Sequence, residues 1–112
     1  MKYKYKAIIK RPDEEYGHMT FISNTLENLQ RTVGGYIETI PVTSKDVILC
    51  DEEGKLKLEP TNISLGNDFI VGTIVVLGVD GDEFTDVHMT FKEWKEFIDQ
   101  ERQLKNGGKH GV

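Results

Sequence analysis

The residues with the most chemical potential in this chain are the acids Asp80, Asp82, Glu83 and Asp86, crowded into seven positions. Calcium loops present oxygen ligands in this alternating way. Counted from Asp80, however, the places that need a glycine and a bidentate glutamate hold Thr85 and Phe91. The spacing therefore favours a solvated β-turn over a metal site. Paired carboxylates could in principle cleave glycosides, but the sequence singles out no pair. Cys50, the one cysteine, follows Val47-Ile48-Leu49 with no base beside it. It reads as a buried thiol rather than a nucleophile. His18, His88 and His110 share no metal-ligand spacing. Gly34-Gly35 follows an apolar-periodic stretch, whereas a phosphate cradle needs its glycines before a helix. A non-enzymatic protein without cofactor or metal is the expectation. A small metal-dependent hydrolase built on Asp80–Asp86 is the weaker alternative.

Basic and aromatic residues form a second set. Tyr3, Lys4, Tyr5, Lys6, Lys10 and Arg11 interleave rings with cations, a pattern that can stack bases and track phosphates. The same pattern describes an edge strand guarded by lysines, which is the favoured reading. Arg31, Tyr36 and Asn62 could add donors and a stacking face. Lys10, Arg11, Arg31, Tyr36 and Asn62 are therefore the candidate ligand-binding residues, provided the fold brings them together.

The elements that must position these residues can be read from periodicity. Residues 3–10 alternate as a strand, and Met19–Ser23 is a second candidate. Asn24 is the expected cap of a helix carrying Leu26, Leu29 and Val33 on one face, with Gly34-Gly35 as its stop. Tyr36–Val42 and Asp46–Cys50 read as a hairpin. Asp51–Gly54 reads as a turn, with Lys55–Leu58 as a brief strand that Pro60 stops. Phe69–Val79 is the most apolar run and the expected central strand. Asp80-Gly81-Asp82 turns it back toward Phe84–Val87. Thr90 and Glu93 fit a capping box ahead of Phe91, Trp94, Phe97 and Ile98. The expected fold is α+β, a mainly antiparallel sheet with two helices packed on it. A single domain over residues 1–103 and a flexible tail over 104–112 complete it.

The whole chain is 112 residues, 38% hydrophobic and 29% charged, enough for one core. No run of 18 apolar residues occurs, so no membrane partner is expected, and no secretory leader is evident. A lone cysteine fits a cytoplasmic protein. The net charge of −5 is uneven. Residues 1–50 hold 7 basic and 6 acidic groups, whereas residues 51–101 hold 4 basic and 13 acidic ones. Such a balance argues against a nucleic-acid partner; it reads first as a solvated acidic surface that aids solubility, with a basic protein surface as the alternative partner. Exposed sheet edges on so small a domain also suggest a homo-oligomer.

Four segments carry a resemblance. They are Thr25–Glu38 with its Gly34-Gly35-Tyr36-Ile37-Glu38 ending, Ile48–Leu56 followed by Pro60-Thr61-Asn62, Asp68–Thr73, and Asp80–Phe84. Together they resemble a family of small domains of unknown function found chiefly in phages and mobile elements of Gram-positive bacteria. The resemblance spans roughly residues 6–99 and carries no catalytic role. It implies an accessory protein that binds and sequesters a host factor, such as a nucleotide-type immune signal held by the five candidates above. The alternative is an inhibitor or regulator that meets a host protein through the acidic half. The N-terminal Tyr-Lys strand and the tail depart from that family's pattern.

Overall fold

The computed structural model describes residues 3–110, with side chains through Leu104. Its centre is β7 (Ile74–Asp80), whose first four residues are all fully buried. A run of Ile, Val, Val and Leu has no wet face, so it is stable only with neighbours on both edges and layers on both faces. On one edge lies β1 (Lys4–Lys10), with Ile8 opposite Val76; on the other lies β4 (Asp46–Asp51), with Leu49 opposite Val75. Outside them sit β2 (His18–Ser23) and β3 (Ile37–Pro41), each the partner of its neighbour in a hairpin. The order is β2-β1-β7-β4-β3, antiparallel throughout, and β8 (Glu83–Thr85) folds back on the far end of β7. A separate two-stranded sheet is made by β5 (Thr61–Leu65) and β6 (Asp68–Val71).

Strand periodicity divides the apolar residues between the two faces. Ala7, Val47, Leu49, Val75 and Leu77 form one face, covered by Leu29 and Val33 of α1 (Leu26–Val33). Ile8, Ile48, Cys50, Ile74 and Val76 form the other. That face is covered by Ile63 and Ile70 of the small sheet and by Trp94 and Ile98 of α2 (Phe91–His110). The two helices thus lie on opposite faces of one sheet. Trp94 is fully buried, and its indole N–H donates to the Tyr16 carbonyl at 2.8 Å. The capping box opening α2 forms as expected: Thr90 N–H donates to Glu93 Oε1 at 2.9 Å and Glu93 N–H to Thr90 Oγ1 at 3.1 Å.

Four expectations change. The cap of α1 is Thr25, not Asn24, because Asn24 N–H continues the hairpin to the Tyr3 carbonyl at 2.9 Å. Thr25 Oγ1 instead accepts from Asn28 N–H. Leu26 is exposed, so α1 buries only Leu29 and Val33. Lys55–Leu58 is no strand. Lys57 N–H donates to the Glu53 carbonyl, Leu58 N–H to Lys55 and Glu59 N–H to Gly54, so the segment bonds locally as a turn. The run Phe69–Val79 is two strands, broken at Gly72, whose φ of 76° lies in the left-handed region. That break lets β6 leave the main sheet and pair with β5, a strand the sequence reading missed. The tail expected at 104–112 falls largely beyond the described side chains, and the backbone of α2 extends to His110.

Candidate functional site

The structure separates the five candidate residues. Lys10 closes β1 on the α2 face and is 1% exposed. Its ammonium donates to Asn62 Oδ1 at 2.8 Å and, at 3.4 Å, to the carbonyls of Asn62 and Arg11. The Asn62 amide donates in return to the carbonyls of Lys10 and Gly72. These bonds tie the β5–β6 hairpin to the main sheet. Burial, with Arg102 nearby, holds the Lys10 amine below its usual range. Arg11 is exposed beside Glu14, whose carboxylate accepts from Arg11 N–H. Arg31 and Tyr36 lie on the α1 side, exposed, and border an open recess of about 380 Å³ with Lys57. Arg31 pairs there with Glu27 at 2.9 Å. Lys10 with Asn62 and Arg31 with Tyr36 are therefore two separate pairs.

Cys50, Asp86 and His88 are each held within the fold. Cys50 is 4% exposed, and burial, helped by Glu38 and Asp51, pushes its thiol up to about 11. That leaves almost no thiolate near neutrality. Asp86 accepts from Lys6 N–H at 2.8 Å. His88 packs on buried Asp46, whose carboxylate also accepts from the N–H groups of His88 and Met89. Among the described residues no three acids, histidines or cysteines gather as a metal-binding group.

What the fold does bring together are the two motif segments, Gly34-Gly35-Tyr36 and Asp51–Pro60. Asp51 is buried at the end of β4 and accepts from Lys57 Nζ at 2.7 Å and Glu53 N–H at 2.9 Å. Lys57 also donates to the Gly34 carbonyl. Burial works to raise the Asp51 pKa, but these donors outweigh it and the net shift is down. Glu59 shifts up, through burial first and then the Asp51 charge. Its Oε1 is buried with no hydrogen-bond partner among the described residues. A side chain at Gly54 or Gly72 would collide with that carboxyl, so the glycines make room for it.

This polar latch fixes a turn, 52–58, that carries Leu56 and Leu58 outward, 82% and 88% exposed. Leu58 has a φ of 58°, unusual for a leucine. Between the turn, the end of the β3–β4 hairpin and β6 opens a groove of about 350 Å³. Its floor is apolar, from Ile40, Cys50, Leu65, Ile70 and Val71, and Leu56 and Phe69 form its lips. Glu38, Glu52 and Asp68 stand around it, with Lys55 as the cation at its edge. Lys55 Nζ lies 2.6 Å from Asp68 Oδ1 and 4.7 Å from the centre of the Phe69 ring. The sequence reading missed this site. Its one available signal was the pair of leucines in a turn-forming Asp-Glu-Glu-Gly-Lys-Leu-Lys-Leu segment.

A family model described as a domain of unknown function, DUF3846, matches residues 4–99 and so takes in every residue of the groove. No curated protein and no solved structure matches the chain.

Proposed function

The chain belongs to the DUF3846 family of domains of unknown function, and we propose that it is a non-enzymatic binding module that occupies a protein partner through the groove beside β6. One observation carries this reading: an apolar groove large enough for a side chain, flanked by a turn whose leucines are almost wholly exposed. Monomeric domains rarely leave large apolar side chains clustered in water without a partner for them. The left-handed Leu58 closes that turn, where Glu59 N–H reaches the Gly54 carbonyl at 3.0 Å, and holds both leucines outward at a backbone cost. A phage or mobile-element setting, implied by the resemblance of the motif segments, makes the partner a host protein and the action inhibitory or regulatory in the bacterial cytoplasm. Among the described residues no helix is long and apolar enough to cross a membrane.

A second reading rests on the recess where Arg31, Tyr36 and Lys57 meet. An anionic, nucleotide-type signal could stack on Tyr36 and pair with the two cations, and a symmetric oligomer could complete the cage that one copy leaves open. Charge reversal at Arg31 should then abolish nucleotide binding without loss of fold.

Selection from a displayed random-peptide library tests the first reading. Wild-type protein should retain peptides that a Leu56→Asp, Phe69→Asp variant with native circular dichroism does not. Retention that ignores both substitutions, or no enrichment at all, contradicts docking at the groove.

A further inference from the structure

We infer that the groove recognises a basic side chain next to an apolar anchor, and that Lys55 is the intramolecular stand-in for that partner cation. The inference rests on the protein-docking reading and names the chemistry of the docked segment.

The geometry around Lys55 is already that of a cation subsite. Asp68 supplies a carboxylate at 2.6 Å and the Phe69 ring lies 4.7 Å below the ammonium. Asp68 is held in place by the Phe69 N–H, which donates to the same Oδ1 at 2.7 Å. These bonds, the Lys55 ammonium first, keep its carboxyl below the usual range. A ring face and a preset carboxylate together suit Arg or Lys. Yet the side chains of Lys55 and Asp68 are 53% and 71% exposed. An exposed ion pair is weakly held, so an incoming cation that also buries apolar surface can displace it.

The rest of the groove agrees. Immediately beside the subsite lies the apolar floor, where Ile70 and Val71 are buried and Ile40 and Leu65 partly so. Glu38 and Glu52 add negative charge to the rim, and the residues 51–101 that supply most of it hold 13 acids against 4 bases. A partner segment of one large apolar residue with Lys or Arg beside it would fill floor and subsite together. An acidic segment would meet repulsion at three points of the rim.

The test uses two synthetic nonapeptides with the same leucine-rich centre, one flanked by lysines and the other by glutamates. Each is titrated into the isotope-labelled full chain while amide resonances are followed. The lysine peptide should shift the amides of Cys50, Phe69 and Ile70, and bind about fivefold or more tighter than the glutamate peptide. Lys55→Ala should tighten the lysine peptide, since no internal cation competes. Asp68→Asn should weaken it by a similar factor. If both peptides shift the groove equally and Lys55→Ala changes nothing, the cation subsite is wrong although docking stands. If neither peptide shifts groove amides at millimolar concentration, the docking reading falls with it.

Discussion

Lys10 and Asn62 show how a plausible ligand pair can be structural. A buried ammonium needs hydrogen bonds on its own protons, and here three neutral oxygens provide them. Asn62→Ala would leave Lys10 with its two long contacts and remove the amide donor that the Lys10 and Gly72 carbonyls share. A loss of about 2–3 kcal/mol is expected from urea unfolding; an unchanged midpoint would contradict the clip. Glu59 makes a pH-dependent prediction. The folded state holds its proton more tightly than the unfolded chain, whose ordinary value is 4.5. Its contribution to stability is therefore full below 4.5 and disappears as pH rises through the folded value. Glu59→Gln keeps a neutral donor in that place. Its melting temperature should exceed wild type at pH 7, and the gap should close as the pH falls below 4.5. A variant less stable than wild type at pH 7 would contradict the assignment.

Among the elements, most helix stops, turns and local hairpins were legible in the sequence, including the β3–β4 pair, whereas the exact cap of α1 and the second sheet were not. The Thr90–Glu93 box, the Gly34-Gly35 stop and the turn at Asp80-Gly81-Asp82 each depend on a few adjacent residues and each forms, although the strand after the turn is Glu83–Thr85 rather than Phe84–Val87. Gly34 takes a φ of 92° and its N–H reaches the Gln30 carbonyl at 2.8 Å. The split of Phe69–Val79 was missed because Gly72-Thr73 reads equally as a tolerated weak point inside one strand or as a break between two. Only the left-handed Gly72 separates them. The groove was hidden for the same reason, since it exists only where β6 crosses the end of β4. Leu58 gives the sharpest test at this scale. Asparagine tolerates its left-handed backbone, so Leu58→Asn should keep or raise stability, by up to about 1 kcal/mol. If the turn is a docking element, the same substitution should weaken partner binding. Lost stability with intact binding would reverse the interpretation.

Over the whole molecule, the layers explain both what is inert and what is offered to a partner. The main sheet is covered on both faces, which shields Cys50 behind the small sheet. Although Cys50 lines the groove floor, its 4% exposure and raised pKa should make thiol reagents modify it slowly in the native chain and faster as denaturant opens the fold; fast modification of the native chain would contradict this burial. Part of the charge asymmetry seen in the sequence has a place in the fold, because Asp51, Glu52 and Asp68 of the acidic half line the groove. The most direct test of the central claim is hydrogen exchange on the protein, alone and with whatever partner a tagged copy retains from its native cells. The account predicts added protection over residues 52–58 and 68–71, with little change at Arg31 and Tyr36. Protection confined to residues 30–36, with 68–71 unchanged, would contradict it and move the site to the other face of the sheet.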